Sequence, residues 1–165
     1  MPISETELLD RISDRVEVKS VDIASNLSEE TLAFTATVYV DGEIVGAARN
    51  RGRGGMTLLE GFRDGRSDTV KRNIEKLRDF ADTLPDVEYH FGPVEVTAEM
   101  IVDTLVEHAD FMNTIKRHIR SGKIVFRTTD QEYGEFSYIG YNGDEAGAID
   151  LVREKHDVDV MYNEA

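Results

Sequence analysis

A chain of 165 residues with 40% apolar composition has the length and content for one domain built on a single core. The absence of cysteine excludes disulfides, thiolate nucleophiles, cysteine-held zinc and iron–sulfur clusters, and the absence of a leader-like run or a membrane-length apolar stretch predicts a soluble, cytoplasmic protein with no membrane association. The net charge of −14 admits three readings: a solubilising surface, adaptation to a salty cytosol (Arg outnumbers Lys by 13 to 6), or mimicry of a phosphate backbone by rows of carboxylates.

In chain order, Ser4 and Glu7 have capping-box spacing ahead of Leu8, Leu9 and Ile12, which predicts a helix over about 5–13. Val16, Val18, Val21 and Ile23 predict an extended segment whose alternation slips once, the mark of a bulge or bend. Residues 31–40 are β-branched, aromatic or small, with Leu32, Phe34, Ala36, Val38 and Val40 on one face and Thr35, Thr37 and Tyr39 on the other. Asp41-Gly42 follows at once, and residues 43–48 return, which is the signature of a two-residue hairpin. Met56 to Phe62 reads either as a third strand or as a loop pinned by Leu58, Leu59 and Phe62.

Ser67 or Asp68 caps a helix whose stripe is Val70, Ile74, Leu77, Phe80, Ala81 and Leu84, ended by Pro85. Residues 87–91 form a short strand that Gly92-Pro93 breaks. Thr97 caps the longest helix, over about 99–120, with Ile101, Leu105, His108, Met112, Ile115 and Ile119 in one stripe; this stripe fits an internal face better than the seam of a homodimer. A strand at 123–127, a turn at 130–134, a returning strand at 135–141, a helix capped by Asp144 and a last strand through Val158, Val160 and Tyr162 complete the chain. The expectation is a single α+β domain over 1–165, an antiparallel sheet of two hairpins packed on two or three helices.

The charge is unevenly spread. From Arg49 to Arg72 there are seven Lys or Arg against three Asp or Glu, a balance of +4, while the remaining residues sum to −18. Successive glycines let backbone N–H groups converge on an anion, and forked guanidinium groups match phosphate geometry. Arg49, Asn50, Arg51, Gly52, Arg53, Gly54 and Gly55, helped by Arg63, Arg66 and Arg72, are therefore the candidate ligand-binding residues. The loop lacks the Gly-Lys-Ser/Thr ending of a Walker motif and the strand-linked G-x-G-x-x-G of a dinucleotide fold.

Enzyme chemistry has little support. His90, His108, His118 and His156 lie apart, with no two-histidine helical metal pattern, and His108 reads as a core histidine on an apolar stripe. Asp103, Glu107 and Asp110 share a helix face but read as a solvated acidic face rather than a cation site. Asp157 and Asp159 alternate to the outside of a terminal strand, and no serine stands in a nucleophile elbow. Tyr133, Tyr138 and Tyr141 would stack bases on an exposed sheet face, but packing against the helix is preferred. No catalytic residue, metal ligand or cofactor is assigned.

Residues 34–46 look like the first hairpin of a double-stranded-RNA-binding domain. That fold needs a lysine-dense helix start, and the next helix here offers only Lys71, Arg72 and Lys76, so the likeness is one of hairpin physics. The hairpin leading to Asn50-x-Gly-x-Gly-Gly55, with a late Lys-Ile-Val-Phe-Arg strand after a long helix, resembles small uncharacterised acidic bacteriophage proteins. That resemblance implies a virus-encoded accessory factor acting by binding. The expected function is non-enzymatic retention of an anionic small molecule, a nucleotide, or a nucleic-acid phosphate at the basic loop. The alternative is an acidic DNA mimic that inhibits a host nucleic-acid-handling protein.

Overall fold

The structure is a computed structural model describing residues 1–60 and 67–164. The fold is α+β, with helices and antiparallel sheets, and the chain divides into two compact units, Met1–Ala109 and Asp110–Ala165. Among the described residues, no helix is long and apolar enough to cross a membrane.

In the first unit, helix α1 (Glu5–Ser13) begins where Ser4 and Glu7 cap each other. The Glu7 N–H donates to Ser4 Oγ at 3.2 Å, and the Ser4 N–H donates to Glu7 Oε2 at 2.8 Å. Such a cap contributes about 1 kcal/mol. Burying Leu8, Leu9 and Ile12 contributes roughly 5–9 kcal/mol, so docking makes the helix and the cap sets its start.

Strands β1 (Val16–Ile23), β2 (Ala33–Val40), β3 (Glu43–Arg51) and β4 (Leu58–Glu60) form an antiparallel sheet in that order. The slip in β1 falls between Lys19 and Asp22, where Ser20 adopts a positive φ of 51°. Asp41 and Gly42 turn β2 into β3 with φ of 48° and 80°, the two positive angles that a twisted two-residue hairpin requires. One face of the hairpin buries Phe34, Ala36, Val38, Val40, Val45 and Ala48. Helix α2 (Ser67–Asp82) packs on β2 and β3, burying Val70, Leu77, Phe80 and Ala81. Asn73 is buried in that helix and donates to the Ile44 carbonyl at 2.8 Å.

The chain then forms a ribbon of β5 (Val87–Tyr89) and β6 (Gly92–Val94): His90 and Phe91 make the turn, and Gly92-Pro93 opens the returning strand rather than ending the extended structure as expected. Gly92 takes a φ of 121° just after the turn, and Pro93 sits opposite Glu88 in a two-stranded ribbon that tolerates the missing donor. Ile3 bridges to Val87 in parallel.

Helix α3 (Ala98–Arg120) carries the predicted stripe, and its residues belong to both units. Ile101, Val102, Leu105 and Val106 are buried in the first and Ile115 in the second, so the chain itself covers the stripe. In the second unit β7 (Lys123–Thr128) lies between β8 (Ser137–Gly140) and β9 (Val158–Met161), all antiparallel. The two predicted hairpin strand pairs, β2–β3 and β7–β8, therefore lie in separate sheets rather than one.

Helix α4 (Glu145–Lys155) starts at Asp144, whose side chain accepts the Gly147 N–H at 2.9 Å. Ile149 and Val152 pack with Ile124, Phe126 and Met161 in one cluster. On the opposite face of β7, Phe111 and His118 of α3 meet Phe136 and Tyr138.

Candidate functional site

The glycine loop leaves β3 at Arg51, and Asn50 organises it from within. Asn50 is 9% exposed, and its amide is fully used. Oδ1 accepts from Thr31 Oγ1 at 2.9 Å and from the Gly52 N–H at 2.8 Å. Nδ2 donates to the Gly55 carbonyl at 3.0 Å and to Thr57 Oγ1 at 3.1 Å. Thr57, itself buried, passes its hydroxyl hydrogen to Asp103 Oδ1 on α3. Asn50 is thus a positioning residue rather than a ligand contact, because no donor or acceptor of its side chain is left over.

Gly52 is fixed as tightly. It takes a φ of 78°, and a Cβ there would collide with the Leu27 carbonyl oxygen and lie 2.9 Å from Ala33 Cβ. Its carbonyl accepts the N–H groups of both Glu29 (2.9 Å) and Glu30 (3.0 Å). The segment before β2 and the loop after β3 are therefore tied together. Beyond Gly52 the Gly55 carbonyl is still held by Asn50, but among the described residues the N–H groups of Arg53, Gly54 and Gly55 have no acceptor.

Arg49, Arg51 and Arg53 line one hollow of about 460 Å³, a volume within the usual range for small-molecule sites. Cross-strand register explains the placement of Arg49 and Arg51, and Arg53 joins them from the loop beyond β3. Thr35 pairs with both Asp22 and Arg49, and Ala33 pairs with Arg51, so these residues form successive rows on the outer sheet face. Leu27, Ala24 and Phe34 add apolar lining, and Asp22 and Glu29 add two carboxylates. Arg49 pairs with Glu60 at 3.0 Å, but both side chains are about half exposed, and an exposed pair of this kind is worth about 0–1 kcal/mol. Among the described residues, Arg51 and Arg53 have no ion-pair partner.

No protein-family model, curated protein or solved structure matches the chain.

The remaining expected residues separate. Arg72 does not join the loop. It lines another hollow with Arg15, Glu75 and Lys76, and its Nη2 donates to Thr69 Oγ1 at 3.4 Å. One turn into α2, its side chain follows the helix surface and not the sheet face. Arg63 and Arg66 lie outside the described residues. Asp22, Leu27, Glu29 and Thr35 carry no signal of their own in sequence; only the strand register and the loop tie bring them to the arginines.

Of the acidic trio on α3, Asp103 is not on a fully solvated face. It is half-buried, holds Thr57 and lines a pocket of about 70 Å³ with Asn50 and Glu107. Burial pushes the Asp103 carboxyl above its ordinary value, against the lowering effect of Thr57. Glu107, more open to solvent, is also pushed up, by partial desolvation first and then by Asp103 and Glu5. Nearby, burial and the charges of Glu5 and Glu107 push the Tyr89 hydroxyl up to about 12.

His108 is half-buried, and burial lowers its affinity for a proton. Among the described residues, no group of three or more His, Asp or Glu is arranged to hold a metal ion. Asp157 and Asp159 do face outward, where they accept from Thr129 Oγ1 (2.9 Å) and Arg127 Nε (3.0 Å).

Proposed function

We propose that this protein binds an anionic ligand, a nucleotide or a nucleic-acid phosphate, in the hollow lined by Arg49, Arg51 and Arg53, and that it acts by binding rather than by catalysis. One observation carries the reading: three guanidinium groups border a single hollow of about 460 Å³, and two of them have no carboxylate partner among the described residues. The uncommitted N–H groups of residues 53–55 add backbone donors of the kind that cradle phosphate.

Asp22 and Glu29 in the same lining disfavour a bare inorganic anion. They suit a phosphate ester that also presents hydrogen-bond donors, and the exposed Leu27 offers an apolar surface to a base. This chemistry fits the accessory, binding role implied by the likeness to small bacteriophage proteins.

The test is thermal unfolding with millimolar nucleoside mono-, di- and triphosphates, together with mobility shift of DNA and RNA at low and moderate salt. A ligand that binds only the folded form raises the melting temperature by mass action, and that rise should vanish in Arg51→Ala/Arg53→Ala. No rise with any nucleotide and no mobility shift would discard the reading.

A further inference from the structure

The second unit holds its own concentration of positive charge. From Phe111 to Thr129 the sequence has five Lys or Arg and no Asp or Glu, in a chain with 33 acidic residues. Lys116, Arg117 and Arg120 lie in the last turns of α3, and Lys123 opens β7. Arg127 is paired with Asp159, but among the described residues the other four have no ion-pair partner. Cations at a helix C-terminus favour the helix dipole, which accounts for some of this pattern.

It does not account for the rings beside them. Tyr138 is 51% exposed, and its ring stacks on His118 at 4.5 Å between centroids, with an interplanar angle of 25°. His118 and Phe111 each contact Phe136, so a ladder of rings climbs from the packed side of α3 to the surface and ends at Tyr138. Lys123 Nζ lies 5.9 Å from the Tyr138 ring centre. A hollow of about 350 Å³, lined by Thr114, Arg117, His118 and Ser121, opens at the His118 rung.

We propose that this platform binds single-stranded nucleic acid, one base extending the Tyr138–His118 stack and the flanking phosphates meeting Arg117, Arg120 and Lys123. Stacking needs a base free of its duplex neighbours, which selects a single strand. An acidic peptide would satisfy the cations but leave the terminal ring unused. The platform is distinct from the glycine loop and shares no residue with it.

The test is fluorescence anisotropy of the full chain with labelled twelve-nucleotide oligothymidylate and oligouridylate, from low to moderate salt. The variants are Tyr138→Phe, Tyr138→Ala, Arg117→Ala/Arg120→Ala and Arg51→Ala/Arg53→Ala. Tyr138→Phe should bind as the parent does, and Tyr138→Ala should weaken binding roughly tenfold or more. Arg117→Ala/Arg120→Ala should lower the logarithmic salt slope by about 1.4, at about 0.7 for each phosphate that a cation no longer neutralises. The same comparisons are repeated in an Arg51→Ala/Arg53→Ala background, which removes any phosphate held at the glycine loop, and the Tyr138→Ala and Arg117→Ala/Arg120→Ala effects should persist there. A preference between the two oligonucleotides assigns DNA or RNA.

The proposal fails if neither oligonucleotide binds or if Tyr138→Ala binds like the parent. It also fails if polyglutamate competes as well as unlabelled oligonucleotide, or if only the loop variant loses binding. Circular dichroism of Tyr138→Ala, a change at an exposed ring, separates a binding defect from a folding defect.

Discussion

Thr57 gives its hydroxyl hydrogen to Asp103, 46 residues away on α3, while accepting from the Asn50 amide. That link makes the glycine loop an extension of a helix face and not a free excursion from a hairpin.

Asn50→Ala removes four hydrogen bonds and leaves Thr31, Thr57 and two loop backbone groups to find other partners. At about 1 kcal/mol for each bond, partly offset by water, the expected loss is about 2–4 kcal/mol. Urea unfolding measures it. A loss below about 0.5 kcal/mol would mean that the network does not hold the loop. Ligand retention should fall in the same variant although the Asn50 amide has no donor or acceptor left for a ligand.

Asp103 and Glu107 give a pH signature of known sign. A carboxyl raised above its unfolded value binds its proton more tightly in the folded state, so its stability contribution is greatest when protonated and is lost as pH rises through the folded value. Asp103→Asn keeps an oxygen for Thr57 and removes the charge. Its stability relative to the parent should therefore be most favourable near pH 7 and least favourable near pH 4. A difference that does not vary with pH would show that Asp103 titrates normally.

Asp41 has the opposite sign. Hydrogen bonds from Arg15 (3.0 and 2.9 Å), then the Lys76 ammonium (2.7 Å), hold its carboxyl far below the usual range. That contribution is present above the unfolded value, about 3.9, and is lost as pH falls through acid conditions. Asp41→Asn preserves a residue that accepts the positive φ of the turn, so the hairpin remains while the charge goes. All three side chains are partly exposed, so the cost at pH 7 should be about 1 kcal/mol or less. Acid titration of unfolding should be shallower in the variant; equal curves would remove Asp41 from the acid response.

Alanine at Gly52 and at Gly55 should behave in opposite ways. At Gly52 the new Cβ would meet a backbone carbonyl, which cannot move aside cheaply, and would demand a left-handed conformation. At Gly55 nothing lies within 4 Å of it. Gly52→Ala should cost about 3 kcal/mol or more and Gly55→Ala should stay within about 0.5 kcal/mol. Chemical denaturation of the pair decides this, and similar values would contradict the loop geometry.

Local rules made much of the fold legible in sequence. The Ser4/Glu7 cap, the Asp41-Gly42 turn, the slip in β1 and the Asp144 cap all depend on residues within a few positions of one another. The separation of the two hairpins into different sheets depends on long-range pairing, which alternation does not encode.

The same limit governs the site. Arg49 and Arg51 share a strand face by parity, while Arg53 reaches the same hollow from the loop beyond β3, past the positive φ of Gly52. Arg72 belongs to a helix whose direction the charge count ignores, and Asn50 reads as a loop polar residue until its four partners are seen. The acid-free run from Phe111 to Thr129 is visible in the sequence, but its charges are spread across a helix, a turn and a strand.

The Gly52 carbonyl, shared by the Glu29 and Glu30 amides, makes those two amides a built-in gauge of the loop. They sit outside the arginine side chains, yet they cannot exchange with heavy water until the bend lets go. Occupancy of the hollow is therefore readable as slowed deuterium uptake at the backbone amides of two glutamates, one of which, Glu29, lines the hollow itself.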